Sequence, residues 1–561
     1  MSRIVGIDLG TSTSEIACIV EGTPKLLPNR QGKLITPSVV HIGQDGTILV
    51  GEEAAEYLFT RPDCTFMEVK RLTGSGETLK AHGKEYAPEE IQAMLLGYLV
   101  RCAEAALKEK IKRAVITVPA YFTDVQRRAT AKAGELAGLQ VERIINEPTA
   151  AALDYGLSNL KDCKNVLVYD LGGGTLDVTV LELFEGVIDV KASSGNNHLG
   201  GKDFDEIIMA RLADPEKDER ALMRLKKAAE ECKIALSAQD EYKVSLPFLL
   251  TGKDGKPVSV EKTVSRLNFE EWVREKVAST KEPMLSALGD AKLKPEDLQV
   301  VLLVGGSTRI PCIRSLVEHT LGAVPRSLVD PDLTVARGAA IQAGLIEGSI
   351  NNEDLVLTDV CPYTLGTAPL KYGVFGKRLV FDPLIPRNTT IPAEKAMIYT
   401  TASDFQTSVV IDVYQGESSD PEHNERLGEL RLTGIPPDRQ GKEQIEVTFG
   451  YDMNGILQVK AGVVSTGKQV SAEISTTGVR AKPVLDLSTW EKAEGARQFR
   501  PLIRKAEKLI ASGRDMGDDI KLLVDRLKES LLLQNREQAD DLREELLAML
   551  EVMEKVGKLV P

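Results

Sequence analysis

One strand, glycine turn and strand pattern occurs twice in this chain, and it constrains the fold more than any other feature. The first copy runs from Ile4 to Thr13 as IVGIDLGTST, and the second runs from Val166 to Asp177 as VLVYDLGGGTLD. Each copy places an aspartate at a strand end, followed by a glycine turn whose amides can approach phosphate without interference from a Cβ atom. The second copy follows the first by 162 residues. The repeat predicts two similar lobes whose turns face each other and clasp one phosphate chain.

The two aspartates of the repeat, Asp8 and Asp170, are candidate metal ligands. Mg²⁺ keeps several waters beside few carboxylates, so we expect these side chains to hold it through water. The alternative is that each aspartate only caps its own turn. A third glycine turn, Leu303 to Arg309, follows an apolar strand and precedes a helix. It is typical of a turn that contacts a nucleoside, and also of a plain strand-to-helix connection.

Composition narrows the classes of protein and partner. The 561 residues are 42% hydrophobic and 27% charged, which is typical of a globular protein of two to four domains. The net charge of −13 disfavours nucleic acid and anionic membranes as partners. Seven scattered cysteines without a Cys-x-x-Cys pair favour a reducing compartment. With no signal-peptide pattern and no apolar run of about 20 residues, we expect a cytoplasmic protein.

The hydrophobic pattern divides the chain into successive regions. Short apolar runs alternate with amphipathic helices such as Pro88 to Glu109 as far as Gly348, which indicates an α/β region. Period-two alternation around the turn Asn454-Gly455 indicates a β-domain. The tail is helical, and we expect its first helix to cover Trp490 to Ala511. The predicted domains are a nucleotide-binding domain at 1–348, a linker at 349–359, a β-domain at 360–482 and a short helical tail at 483–561.

Further motifs make the chain similar to a known family. They are Val118-Pro119-Ala120-Tyr121-Phe122, Asn146-Glu147-Pro148-Thr149-Ala150-Ala151-Ala152 and His198-Leu199-Gly200-Gly201. Together with the glycine turns, they closely resemble the seventy-kilodalton heat-shock chaperones of the DnaK type, over nearly the whole chain. The segment Leu357 to Gly366 and the short tail look closest to the compact bacterial HscC-like branch.

The resemblance implies both an architecture and a function. The expected fold is an α/β actin-like two-lobed ATPase domain, then a β-sandwich peptide-binding domain and a short α-helical lid. The expected function is an ATP-dependent chaperone of the stress response that binds and releases unfolded polypeptide. Its implied cofactors are ATP or ADP, Mg²⁺ and K⁺. Its implied partners are unfolded client polypeptides and a J-domain co-chaperone, and a shortened stretch after Arg211 leaves the use of a nucleotide exchange factor open.

Residue-by-residue matching carries the family's nucleotide-site roles onto this chain. The implied catalytic residues are Lys70, Glu147, Asp170, Asp177 and Thr175. The implied nucleotide-binding residues are Gly10, Thr11, Ser12, Thr13, Gly172, Gly173, Gly174, Gly200, Gly201, Glu230, Lys233, Ser237, Gly305, Gly306, Ser307 and Arg309. Phosphoryl transfer depends mainly on positioning and electrostatics, so Lys70 would neutralise charge that develops on the γ-phosphate.

The same matching gives roles outside the nucleotide site. The implied peptide-binding residues are Thr367, Leu370, Tyr399, Ala402, Val409 and Ile411, which on pattern alone would be core positions. The implied coupling residues are Pro119, Arg127, Arg143, Asn146, Thr149 and Asp359. The chain departs from the family pattern at Thr358, where the linker is otherwise apolar, at Thr367 and Pro369 of the pocket rim, and at Lys202, where glutamate is favoured.

Two other classes of protein share the paired turns. Small-molecule kinases of the actin-like fold would carry them, but such enzymes have no need of residues 355–480. Filament-forming ATPases usually stop after the nucleotide module or add membrane-targeting helices. Stimulation of ATP hydrolysis by unfolded peptide, without stimulation by sugars, distinguishes a chaperone from a kinase.

Overall fold

The computed structural model describes residues 3–157, 164–184, 186–214, 218–251, 257–322, 326–327, 330–350, 355–373, 376–473, 487–493, 495–511, 517–532, 534 and 536–556. The chain divides into two compact units. The first unit comprises Met1–Pro362 with Met453–Ile456, and the second comprises Tyr363–Asp452 with Leu457–Pro561.

The first half of the first unit holds one large sheet and the helices around it. It contains strands β1 (Ile4–Leu9), β2 (Thr13–Val20), β3 (Thr23–Leu26), β4 (Thr36–Pro37), β5 (Val39–Ile42), β6 (Ile48–Val50), β7 (Thr65–Met67), β8 (Leu79–Ala81), β9 (Lys84–Tyr86), β10 (Arg113–Val118) and β11 (Gln140–Asn146), and helices α1 (Glu52–Ala55), α2 (Pro88–Leu107), α3 (Asp124–Leu136) and α4 (Glu147–Gly156). The large sheet has the order β11-β10-β1-β2-β3, with β4 paired to β2.

The second half of this unit builds a second large sheet. It contains strands β12 (Lys164–Leu171), β13 (Leu176–Phe184), β14 (Val187–Asn196), β15 (Glu241–Thr251), β16 (Pro257–Ser265), β17 (Val300–Val304), β18 (Arg326–Ser327) and β19 (Val356–Val360), and helices α5 (Gly201–Leu212), α6 (Glu219–Ala238), α7 (Arg266–Ser279), α8 (Lys281–Asp290), α9 (Pro311–Leu321) and α10 (Thr334–Glu347). Its strands follow the order β18-β17-β12-β13-β14-β19.

The two sheets repeat one topology. In each, a hairpin (β1 with β2, and β12 with β13) is followed by a third antiparallel strand, while a later strand (β10 or β17) pairs parallel to the first. Strands β1 and β12 are buried on both faces because helices cover them, and they read as continuous apolar runs for that reason. The repeat that the sequence predicts is therefore a repeat of strand order.

Helices α4 and α10 lie in the core shared by the two sheets, where small residues let backbones approach closely. A Cβ atom on Gly338 of α10 would stand 1.7 Å from the carbonyl oxygen of Ala150 on α4. One on Gly6 of β1 would stand 2.2 Å from the backbone nitrogen of Ala340. The alanines after Glu147-Pro148-Thr149 are fully buried here. This close packing fixes the start of α4, which carries Glu147, against the strand ends.

The second unit begins with antiparallel strands. It contains β20 (Leu365–Thr367), β21 (Leu370–Gly373), β22 (Gly376–Leu379), β23 (Asp382–Ile385), β24 (Thr390–Ile391), β25 (Ala393–Thr400), β26 (Ser408–Gln415), β27 (Glu425–Thr433), β28 (Gln444–Tyr451), β29 (Leu457–Val463) and β30 (Lys468–Glu473). Two four-stranded sheets have the orders β23-β20-β26-β27 and β25-β28-β29-β30. Buried residues alternate with exposed ones along β28, as the period-two pattern predicts.

The tail forms helices α11 (Arg500–Ala511), α12 (Gly517–Leu532) and α13 (Arg536–Val556). The expectation of one helix from Trp490 is wrong, because two short 3₁₀ turns, Leu487–Lys492 and Ala496–Gln498, precede α11. Pro501 is the second residue of α11, where its missing N–H leaves no intrahelical bond unmade. The buried tail core includes Leu523, Leu527, Leu531, Leu542 and Leu546, whose helical spacing in the sequence predicts such packing. The side chains of Leu522 and Met553, which the same spacing would place in this core, lie outside the described residues.

Candidate functional site

A cleft of about 400 Å³ opens between the paired glycine turns of the first unit. It brings together most of the predicted nucleotide-site residues: Asp8, Gly10, Thr11, Ser12, Thr13, Lys70, Glu147, Asp170, Gly172, Gly173, Thr175, Glu230, Lys233, Ser237, Gly305, Gly306, Ser307 and Arg309. Four predicted residues, Gly174, Asp177, Gly200 and Gly201, do not line it. Residues separated by up to about 300 positions in the chain therefore share one cavity.

Gly200 and Gly201 support the second turn from behind. The amide of Gly201 donates to the carbonyl of Gly172 at 3.0 Å, and the amide of Lys202 donates to the carbonyl of Gly173 at 2.9 Å. A Cβ atom on Gly200 would stand 2.5 Å from the Gly173 backbone. These glycines thus hold the shape of a turn that other residues present to the cleft.

The third glycine turn also needs its glycine. Gly305 has φ of +80°, and a Cβ atom there would meet the carbonyl oxygen of Leu171 at 2.4 Å. The turn passes directly beside the second glycine turn, and the Ser307 hydroxyl donates to the carbonyl of Gly172 at 2.8 Å. The sequence left open whether this turn was only a connection, and its place on the wall of the cleft favours a binding role.

Lys70 and Glu147 form a buried ion pair in the cleft. The Lys70 ammonium lies 2.5 Å from Glu147 Oε1, and both side chains are almost fully covered. Lys70 lies in a short 3₁₀ segment of residues 69–72, and Glu147 is the first residue of α4. A lysine held this way is a fixed positive charge, which is what stabilisation of a developing phosphoryl charge requires.

Three further buried carboxylates stand near this pair. Burial and the charge of Glu147 raise the pKa of Asp8 to about 7, although Lys70 and a hydrogen bond from Thr117 at 2.8 Å oppose the shift. Burial and Glu147 likewise raise the pKa of Asp177 to about 7, and that of Asp170 well above its usual range. So many acidic groups in one small volume favour binding of a cation.

The donor set fits Mg²⁺ bound mostly through water. Among the residues that the structure describes, no three metal-ligating side chains are grouped closely enough to hold a metal ion directly. Asp177 Oδ2 is buried without a hydrogen-bond partner, so acceptor capacity remains in the site. Mg²⁺ in proteins usually has few direct carboxylate ligands, and water and substrate phosphate supply the others.

The nucleoside end of the cleft is formed by α6 and the third turn. Glu230, Lys233 and Ser237 follow one another along the face of α6 that lines the cleft, as their spacing predicts. Lys233 Nζ contacts Asp205 at 2.8 Å and the carbonyl of Gly201 at 3.0 Å. Arg309 is held by Asp332 at 3.0 Å. Its guanidinium plane remains half-exposed and accessible for stacking.

Lys202 is a functional position that the sequence marked only as a departure. Its ammonium lies 2.8 Å from Glu230 Oε1 and 3.7 Å from Glu68, and its side chain is 9% exposed. Burial acts to raise the pKa of Glu230, but the charge and hydrogen bond of Lys202, together with the charges of Lys233 and Lys227, outweigh it and lower that pKa. The lysine thus keeps Glu230 charged and oriented, and its direct contact with a predicted nucleoside residue could not be read from the sequence.

Glu15 and Asp332 line the cleft as well, and neither was predicted. A signal for Glu15 exists in the repeat, since it follows Asp8 by the same seven positions that separate Asp177 from Asp170. The two pairs have the same register, Asp8 opposite Glu15 and Asp170 opposite Asp177. Asp332 has no comparable signal, because only its contact with Arg309 places it at the site.

The predicted coupling residues form a connected polar chain inside the first unit. Arg127 Nη2 donates to the Ala120 carbonyl, next to Pro119, and to Asn146 Oδ1 at 2.7 Å. Asn146 Nδ2 then donates to Asp359 Oδ1 at 2.8 Å. The Thr149 hydroxyl donates to Asp359 Oδ2 at 3.2 Å. Arg143 is largely buried and adds a favourable charge opposite Asp359.

The linker strand β19 pairs parallel with β14, through Val187–Asp189 and Val356–Thr358. Residues 351–354 of the predicted linker lie outside the described residues. The Thr358 hydroxyl donates to Asp189 Oδ1 at 2.5 Å. This contact explains the departure at position 358, because a polar side chain there has a polar partner on β14.

The predicted peptide-binding residues lie on β20, β21, β25 and β26 of the second unit and, for Ala402, between β25 and β26. Thr367 is buried and donates to the Asp412 carbonyl, and Ile411 is 6% exposed, so both are core positions here. Tyr399 donates to Asp382 Oδ2 at 2.8 Å. Leu370 is exposed, whereas Ala402 and Val409 are half-buried. Leu370, Ala402 and Val409 therefore retain surface that a bound peptide can contact.

Helix α12 contacts the β-domain loop of residues 418–423 within the second unit. Asp525 accepts a hydrogen bond from Ser419 at 2.8 Å, and Arg526 lies 3.2 Å from Asp420. Glu529 pairs with His423. Burial raises the pKa of Glu529 to about 8, helped by Asp420 and Asp525 and opposed by a hydrogen bond from Ser418 and the charge of Arg526.

The chain is similar to known proteins over most of its length. The family model described as Hsp70 protein matches residues 4–81 and 75–548. The chain is 45% identical to "Chaperone protein DnaK" of Mycoplasmopsis pulmonis, over 99% of this chain and 94% of that protein. It is 47% identical to "Chaperone protein DnaK" of Thermotoga maritima, over 84% of this chain and 80% of that protein. No helix within the described ranges is long and apolar enough to cross a bilayer. The chain belongs to the Hsp70 family of ATP-hydrolysing chaperones.

Proposed function

We propose that this chain is a cytoplasmic chaperone that uses ATP hydrolysis in an actin-like two-lobed module to control how tightly a β-sandwich domain with a short helical lid holds unfolded polypeptide. The observation that carries the proposal is the chain of contacts from the cleft to the linker. Lys70 pairs with Glu147 at the start of α4, and Asn146, the preceding residue, holds Asp359 of β19. One helix start therefore belongs to both the catalytic cleft and the linker contact.

The predicted nucleotide-site residues have distinct roles in this proposal. Asp8 and Asp170 would hold Mg²⁺ through water, and the backbone amides of the two glycine turns bind phosphate oxygens. Mg²⁺ and K⁺, when bound, would supply the positive charge that neutralises the phosphates. Glu147, Asp177 and Thr175 orient the attacking water, and Lys70 stabilises charge that develops on the transferred phosphoryl group. Glu230, Lys233 and Ser237 contact the nucleoside, on which Arg309 stacks.

Strand β19 is the proposed coupling element. A strand added to the edge of a sheet is held by backbone bonds and a few side chains, so small changes at α4 can shift its equilibrium. A J-domain co-chaperone would act on the surface near Arg143 and Asn146. Backbone hydrogen bonding to extended chains asks little of the client's side-chain sequence, which accounts for broad client choice.

Steady-state ATP hydrolysis by the full chain, with and without a permanently unfolded peptide, tests the function. We expect peptide to stimulate hydrolysis and glucose or glycerol to have no effect. Lys70→Ala serves as the inactive control, because it removes the fixed positive charge. Stimulation by a sugar, with transfer of phosphate to it, would favour a small-molecule kinase instead.

A further inference from the structure

Glu15 is a buried carboxylate for which the proposed mechanism has no use. It lies on β2 opposite Asp8, is 1% exposed and lines the nucleotide cleft. In the second sheet the equivalent position is Asp177, opposite Asp170. The doubled fold therefore places an aspartate and a second acid opposite each other in each hairpin, and of these four acids Glu15 has no role in the proposed mechanism.

The charged groups that act most strongly on Glu15 are acidic. Burial, Asp8, Asp332 and Asp330 all raise its pKa, and only a hydrogen bond from Thr13 opposes them. Glu15 Oε1 has no hydrogen-bond partner among the described residues. One oxygen of this buried carboxylate is therefore unsatisfied, and burying an unsatisfied polar atom costs folding free energy. Groups with such a cost are usually found where they bind a ligand.

Glu15 and Asp177 have different neighbours. Asp177 accepts a hydrogen bond from the Tyr121 amide at 2.9 Å and lies within the influence of Glu147 and Lys70. Glu15 is influenced instead by Asp8 and by Asp332, which lines the same cleft and contacts Arg309. Lys70 is already paired with Glu147, so it supplies no free charge to Glu15.

We propose that Glu15 is a ligand, directly or through water, of a cation that enters the cleft together with the nucleotide. The proposal rests on the nucleotide binding proposed above. A nucleotide phosphate is anionic and would be repelled by Glu15 and Asp8, so a cation must stand between them. Both Mg²⁺ and K⁺ have the oxygen preference that a carboxylate satisfies, and the experiment separates the two.

The test compares the wild-type chain with Glu15→Gln, which keeps the shape of the side chain and removes its charge. ADP affinity is measured by titration calorimetry in separate series of KCl and MgCl₂ at constant ionic strength, and the melting temperature is measured without nucleotide. We expect Gln to weaken ADP binding about tenfold, the scale of one lost charged contact, and to flatten the dependence on one of the two cations. The cation whose effect on affinity is flattened is then the one that Glu15 binds.

The melting temperature without nucleotide adds a second criterion. Replacing a buried acid that serves only a ligand should not lower the melting temperature, whereas replacing an acid with a structural role would lower it. Glu206→Gln is the matched control, because Glu206 is exposed on α5 and does not line this cleft. We expect this control to match the wild type in both measurements.

Three outcomes would overturn the inference. One is a Glu15→Gln chain with unchanged cation dependence, and another is a lower melting temperature without nucleotide. The third is a loss of affinity that disappears with 2′,3′-dideoxy-ADP, which would make Glu15 a ribose contact. Glu15→Asp, which keeps the charge, should retain the cation dependence and guards against a misfolded variant. If the wild type itself binds no ADP, the proposed function fails rather than the role of Glu15.

Discussion

Asp359 is the most sharply testable residue of the linker. Its carboxylate accepts hydrogen bonds from Asn146, Thr149 and the backbone amide of Val360, at 2.8, 3.2 and 2.8 Å, and it is 6% exposed. Replacing Asp359 with alanine leaves these donors without their acceptor inside the unit. Loss of one member of a buried charged network costs about 3–5 kcal/mol. If this cost falls on the pairing of β19 with β14, the population of molecules in which β19 is detached (its opening) rises roughly 200- to 5000-fold.

Asp359→Asn is the milder change. Asparagine keeps an oxygen for Asn146 and Val360, and its amide can face the Thr149 hydroxyl, which also accepts. Only the charge is lost, so we expect the free energy that holds β19 in place to fall by about 1–2 kcal/mol. This loss corresponds to roughly a 5- to 30-fold rise in the opening of β19. Stimulation by a J-domain protein should fall, while basal hydrolysis changes little, because the cleft residues are untouched.

Hydrogen exchange of the peptide covering residues 355–360, measured by mass spectrometry, reports this opening directly. Asp240→Asn is the matched control, since Asp240 is exposed and distant from the linker. We expect the order alanine, asparagine, then control and wild type, from fastest to slowest exchange. If the alanine variant exchanges like the wild type, the Asp359 network does not hold β19 and the coupling argument is wrong.

Three other predictions follow from separate sites. Lys70→Ala should reduce single-turnover ATP hydrolysis by about 100-fold or more, with ADP affinity changed only a few fold, because the lost charge acts mainly in the transition state; a wild-type rate would refute its role. Val409→Phe should weaken binding of a labelled peptide, measured by fluorescence anisotropy, without altering basal hydrolysis, and unchanged affinity would place the pocket elsewhere. Glu529 has a raised pKa of about 8, so the stability it gives α12 is present at low pH and is lost as pH rises through that value. Hydrogen exchange of α12, corrected for the intrinsic pH effect, should increase about tenfold from pH 7 to pH 9, and Glu529→Gln should remove this increase.

Some features of this protein follow from local sequence and so could be predicted. The apolar runs, the Asp-Leu-Gly turns and the period-two strands identify their own elements, because burial and turn geometry act over a few residues. The 162-residue repeat predicts two matching sheets, and the structure has them. The family motifs place Lys70, Glu147 and Asp170, which the fold brings into one cleft. The start of α11 was misjudged, because 3₁₀ turns and an α-helix share the same apolar spacing over two turns.

Other features depend on contacts between distant segments, and only the tertiary structure decides them. The partner of Lys202 is Glu230 and that of Thr358 is Asp189, pairs whose members are 28 and 169 positions apart. Nothing in either local sequence specifies such a partner, since a charge or hydroxyl on a helix or strand is usually solvated. Whether Thr367 and Ile411 are core or surface is likewise set by how two strands align. Glu15 belongs to both kinds: the repeat fixes its position, but the unsatisfied Oε1 atom and the acids around it arise only in the folded cleft.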